Sequence, residues 1–173
     1  VPWGPEDTDV ASRLAPGFWA RWSGNPADRM KVSPLHPLGT DHLGRDMLSR
    51  LLYGGRTSML VGLVSTAMGL FWGVVLGMLA GYYKRLDNLI MRLMDLLFTF
   101  PGILLAMLIV AMLGSSTFNA TMAISIWSVP SFARMVRSRV LQVREEDYVM
   151  AIRSLGSSDA RILTRHVFHN TLP

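Results

Sequence analysis

Cysteine is absent from the 173 residues, which excludes a disulfide framework, a thiolate metal site and a cysteine nucleophile. Charge is scarce: Asp, Glu, Lys and Arg make up 17% of the chain, against about a quarter in ordinary soluble domains. No stretch carries GxxxxGK[ST], HExxH or CxxC, so neither the phosphate loop nor those metal-centred patterns are available. The chain is therefore read as a non-enzyme with no cofactor and no metal. Neither an initiator Met nor a charged-then-apolar leader precedes Val1, so the sequence is expected to be part of a longer product, cut at both ends.

The apolar residues, half of the chain, are bunched. Residues 1–38 hold Pro2, Pro5, Pro16, Pro26, Pro34 and Pro37, a density that predicts an irregular external segment without long helices. Phe18, Trp19 and Trp22 within it read as packing of that segment and receive no function. Residues 39–56 predict an interfacial helix capped by Thr40 or Asp41. Leu43, Met47, Leu51 and Leu52 share its face, Asp46 pairs with Arg50 one turn on, and Gly54–Gly55 ends it. His36, His42, Asp41 and Asp46 match no strong metal-ligand spacing.

Residues 57–173 predict a transmembrane domain. From Thr57 to Tyr83 there is no charge over 27 residues, roughly 40 Å of helix and enough to cross a bilayer. Gly69, Gly73, Gly77 and Gly81 recur every fourth residue and line one side, where another helix can approach closely. From Leu96 to Ala133 a further 38 residues are uncharged, room for two more spans, about 96–113 and 118–136, with bends at Pro101–Gly102 and Pro130. Between the first and second spans, Asn88, Arg92 and Asp95 read as a polar stripe at a membrane edge. The fold class is thus all-α and embedded in a lipid bilayer.

Seven arginines then crowd residues 134–173. Here Tyr148, Ala151, Ile152 and Leu155 fall at i, i+3, i+4 and i+7, predicting a short amphipathic helix. Gly156 is placed to end it in a left-handed conformation, and Ser157 or Ser158 to cap a second helix bearing Ile162, Leu163, His166 and Val167. Such a pair suits the membrane surface, with apolar stripes offered to a neighbour. Ten basic residues lie in 82–95 and 134–173, against three in the membrane-proximal positions 36–56 and none in the 114–119 turn. The positive-inside tendency makes the former cytoplasmic and residues 1–56 external.

Three segments carry a family resemblance. HPLGTDHLGRDMLSRLLYGGRTS, MRLMDLLFTFPGILLA and ARMVRSRVLQVREEDYVMAIRSLGSSDARILTRH resemble the external signature, the MR-x-x-D-x-x-x-x-FP segment and the cytoplasmic EAA loop of one permease group. These are the inner-membrane C-type permeases of bacterial binding-protein-dependent ABC importers for dipeptides, oligopeptides, nickel and glutathione. The resemblance implies a fragment of the type I importer membrane domain, three spans of a six-span, multi-pass subunit of the inner membrane. It also implies a sister permease, cytosolic ATP-binding subunits and an extracytoplasmic substrate-binding protein as partners. Within the EAA-like loop, 144–170, ATPase coupling is expected of Asp147, Tyr148, Met150, Ala151, Ile152, Leu155, Gly156, Ile162 and His166. Met150 and Ile152 stand where the family has Glu and the second Ala, and Phe168–His169 where it has Leu-Pro. The rival reading is a membrane-tethered helix-turn-helix protein that reads nucleic acid through Arg161, Thr164, Arg165 and Asn170. The preferred reading includes no nucleic acid.

Overall fold

The computed structural model describes residues 4–22 and 24–171, which form two compact units, Val1–Leu60 and Val61–Pro173. In the first unit, proline density leaves only short elements: 3-10 turns at Val10–Ser12 and Phe18–Trp22, and α1 at Pro26–Met30. α1 begins as local chemistry dictates, with Pro26 in its first turn and the Asn25 side chain accepting the Ala27 amide at 3.1 Å.

A polar network holds this unit together. Thr40 Oγ1 accepts the Ala15 amide at 2.9 Å and donates to the Ser12 carbonyl. His36, buried, sits with Nδ1 3.1 Å from Asp46 Oδ1 and Nε2 3.5 Å from Asp9 Oδ2. At Gly44 (φ +78°), a Cβ would stand 2.3 Å from the Asp9 carbonyl oxygen, so only glycine fits this turn.

The helix cap differs from the sequence expectation. Thr40 serves the loop, while Asp41 accepts the amides of Leu43 and Arg45 and pairs with both Arg45 and Arg50. Desolvation works to raise the Asp41 pKa, but these amides and the Arg45 guanidinium outweigh it and hold the carboxyl well below its usual range. Asp46 is the cap instead. Its Oδ2 accepts both the amide and the hydroxyl of Ser49 at 2.7 Å, and Arg50, expected to pair with Asp46, goes to Asp41. Asp46→Ala would remove the cap and His36's buried partner together, at a cost of about 1–3 kcal/mol. Hydrogen exchange at amides 36–50 is expected to accelerate in the purified variant; unchanged exchange would remove Asp46 from this role.

α2 runs without interruption from Met47 to Tyr82. The stop expected at Gly54–Gly55 is not made. Each helical glycine costs about 1 kcal/mol, less than leaving backbone groups unpaired beside a long apolar run. α3 (Lys84–Thr99) and α4 (Gly102–Leu113) follow, bent by 87° at Phe100–Pro101. Phe100 is extended, as the residue before a proline prefers. α5 (Thr117–Arg144) opens on Ser116, whose Oγ accepts the Asn119 amide at 3.1 Å, and continues through buried Pro130. By length and composition, α2 alone among the described helices can cross a membrane, and α3 with α4 can do so as a bent pair.

In the second unit α5 is the hub. Gly69, Gly73, Gly77 and Gly81 all face it: a Cβ would lie 1.9 Å from Ser128 Oγ, 2.4 Å from Phe132 Cβ, 2.6 Å from the Ala133 carbonyl and 2.7 Å from Val140 Cβ, respectively. The two backbones therefore touch through the glycines. α3 packs on the same helix through buried Met94 against Val129 and Ala133. Arg137 clasps Asp87 at 2.5 and 2.6 Å, and Arg134 pairs with Asp95 at 3.0 Å. The Arg137 hydrogen bonds hold the Asp87 pKa below its usual value against the opposing effect of burial. The expected polar stripe is exposed at Asn88, Arg92 and Asp95 alike, and Asp95 in addition pairs with Arg134 of α5.

Candidate coupling site

Beyond α5 the chain forms α6 (Asp147–Ser154), α7 (Asp159–Arg161), a π-helical segment at Ile162–Val167 and α8 (Phe168–Thr171). Val149, Ile162, Leu163 and Val167 are buried in one cluster with Tyr82 of α2 and Val136 and Val140 of α5, and Ile152 packs at its edge. This apolar base seats the element on the ends of two long helices.

The rest of α6 faces outward. Tyr148 is 39% exposed, Met150 51% and Leu155 86%, and Asp147 and Ala151 are exposed beside them. Two stripes fit the helical period here because Tyr148 and Val149 are adjacent apolar residues. The stripe 148, 151 and 155 points out, and the residues that turn in are Val149, which sequence reasoning missed, and Ile152. Ile162 and His166 do not join the exposed face. Ile162 is fully buried, so it anchors the element rather than presenting itself, and His166 is half-buried.

Gly156 closes α6 with φ +80°. Its amide reaches the Arg153 carbonyl at 3.0 Å and the Ser157 amide reaches the Ile152 carbonyl at 3.4 Å, the paired bonds of a Schellman turn. No atom lies within 4 Å of a Cβ built at Gly156, so the demand for glycine is purely conformational. Ser158 stands at the start of α7 in extended geometry, without a side-chain capping bond.

Four side chains that the sequence did not single out as site residues fasten this element. The Tyr82 hydroxyl donates to Asp159 Oδ1 at 2.5 Å and accepts from Arg153 Nη2 at 3.2 Å. Arg153 also lies over the Tyr82 ring at 5.7 Å. Arg144 donates to the carbonyls of Gly81 and Tyr82 at 3.1 and 3.3 Å, satisfying the last turn of α2. Tyr82 and Asp159 lie 77 positions apart, and neither forms a local pattern that could have revealed the pair. Chemically the arrangement is an exposed, largely apolar patch on a hydrogen-bonded mount.

Residues 73–173 match the family described as binding-protein-dependent transport system inner membrane component. The chain is 45% identical over 150 residues to the dipeptide transport system permease protein DppC of Alkalihalophilus pseudofirmus, covering 86% of this chain and 49% of that protein. It is 43% identical over 164 residues to the glutathione transport system permease protein GsiD of Pectobacterium atrosepticum, covering 89% and 54%. With GsiD of Escherichia coli the identity is 46% over 138 residues, covering 79% and 46%. The chain spans about half the length of these curated relatives, and it belongs to the family of inner membrane components of binding-protein-dependent transport systems.

Proposed function

We propose that this chain is the transmembrane part of a permease subunit in an ATP-driven importer of dipeptides, oligopeptides or a related small solute such as glutathione. The solute class follows the names of its relatives, a dipeptide and a glutathione permease. The permease would line the path with a sister permease and receive solute from an extracytoplasmic binding protein. ATP hydrolysis would belong to cytosolic subunits, with no catalysis in this chain. The observation that carries the coupling part is the exposed apolar face of Tyr148, Met150, Ala151 and Leu155 on a buried base. An apolar helix face on a fixed mount suits insertion into a groove of a partner. The helix-turn-helix alternative gains no support: beyond the Gly156 turn, α7 has only three residues, and Ile162, Leu163 and Val167 turn into the cluster.

In this proposal the spans are about 57–83, 96–113 and 118–136. Residues 1–56 lie outside, 84–95 inside, 114–119 outside and 134–173 inside. Because the chain has no cysteine, Ser116→Cys and Ser157→Cys each introduce a single thiol. An impermeant thiol reagent added to intact cells is expected to label the first and spare the second. The reverse pattern would invert the topology and end the coupling proposal, since 147–167 would then face away from ATP.

A further inference from the structure

We infer that Tyr82 is a positioning residue for energy coupling: its hydroxyl ties the end of α2 to both sides of the Gly156 turn, so that displacement of α2 moves the α6 face as one piece. The inference rests on the reading of 144–170 as the ATPase-docking element. One oxygen holds two anchors, Arg153 in the last turn of α6 and Asp159 at the start of α7. The chain between them contains Gly156 at φ +80° and Leu155, the most exposed residue of the outer face. The turn is therefore pinned at both its ends. The mount is stiff on the α2 side as well, because Arg144 binds the carbonyls of Gly81 and Tyr82 and Gly81 abuts Val140 and the Arg137 carbonyl of α5. The Tyr82 ring is only 6% exposed and belongs to the apolar cluster. Ring and hydroxyl thus have separable tasks: the ring seats the element, and the hydroxyl sets its angle.

Tyr82→Phe keeps the ring and removes the hydroxyl. In the complete importer this variant is expected to retain the ATPase at the normal level. Its ATP hydrolysis stimulated by the importer's own binding protein, with dialanine and glutathione as the two probes, should fall at least fivefold while basal hydrolysis is unchanged. Hydrogen exchange at amides 147–161 should speed up about tenfold, with amides 66–78 unaffected. Asp159→Asn, which still offers an acceptor to the hydroxyl, should restore most of the stimulation that Asp159→Leu loses. Normal stimulation and normal exchange in Tyr82→Phe would overturn the inference. Loss of ATPase retention in that variant would overturn it too, by showing a structural role only. Ala151→Asp separates the two readings: release of the ATPase there, beside wild-type behaviour of Tyr82→Phe, sinks the positioning role alone. Retention in Ala151→Asp sinks the docking reading beneath it.

Discussion

Ala151→Asp is expected to release the ATPase from the importer while leaving the permease folded and inserted. Ala151 is exposed on α6 beside Tyr148 and Leu155 and faces away from the cluster around Val149, so a carboxylate there costs the isolated chain little. On docking, the same charge would enter an apolar contact without a partner. Burial of an unpaired charge costs several kcal/mol, and central contact residues carry most of an interface's energy; 3 kcal/mol is already more than about a hundredfold in affinity. Val149→Asp makes the contrast. Val149 is fully buried, so its charged variant should loosen α6 itself and speed hydrogen exchange across 147–161, which Ala151→Asp should not. Gly156→Val should also uncouple, by another route. No neighbour obstructs a side chain there, but a β-branched residue is strained at φ +80°, so the Schellman turn would open and Leu155 would be re-aimed. ATPase copurification at matched permease levels is the measurement. Full retention in Ala151→Asp would remove the α6 face from docking, and full stimulation in Gly156→Val would remove the turn from coupling.

The second large effect is expected at the glycine seam. Gly77→Leu should unfold or prevent assembly of the second unit, because even its Cβ would lie 2.6 Å from the Ala133 carbonyl oxygen and 2.8 Å from Val136 Cβ. Backbone cannot swing aside as a side-chain tip can. Overpacking a well-packed site costs about 1–3 kcal/mol, and a whole isobutyl group forced between touching backbones belongs at or above the top of that range. Gly73→Leu meets Phe132 Cβ and the Ala133 amide nitrogen and should behave alike. Gly62→Ala supplies the control on the same helix: no atom lies within 4 Å of its Cβ, so it should be neutral or stabilise by up to about 1 kcal/mol. Thermal aggregation midpoints of the detergent-purified chain rank the three. Equal midpoints for Gly77→Leu and Gly62→Ala would mean that α2 and α5 do not pack as described.

The glycine spacing was legible because a four-residue repeat of the smallest side chain has one economical use in an apolar helix. What spacing could not tell was the partner, which is α5 of the same chain rather than another subunit's helix. The Gly156 turn was legible for the same local reason, since helix periodicity stops there and a left-handed residue is needed. Other features were decided by tertiary context. Thr40, Asp41 and Asp46 are all competent caps, and only the fold assigns Asp46 to Ser49 and sends the other two to the loop. Along α6, adjacent Tyr148 and Val149 give two equally periodic stripes, and the cluster with Val136 and Val140 chooses Val149. The Gly54–Gly55 stop failed because a glycine pair is a weak, local signal inside a cooperative helix. Tyr82, Arg144 and Asp159 left no trace because hydrogen bonds across 60 or more positions follow no local period.

In the proposed topology, the elbow at Phe100–Pro101 has a consequence for the surrounding lipid. Beyond it α4 has 12 residues, about 18 Å of helix, less than the roughly 30 Å of hydrocarbon, so the rest of the 96–113 crossing would fall to the last turn of α3 on the far side of the bend. A helix this short draws headgroups inward or thins the leaflet beside it. α5, against which α4 packs through Trp127 over Gly102, can shield one flank only. If α4 is embedded as proposed, the free flank would make the protein sensitive to acyl-chain length, with shorter-chain bilayers fitting α4 better than longer ones.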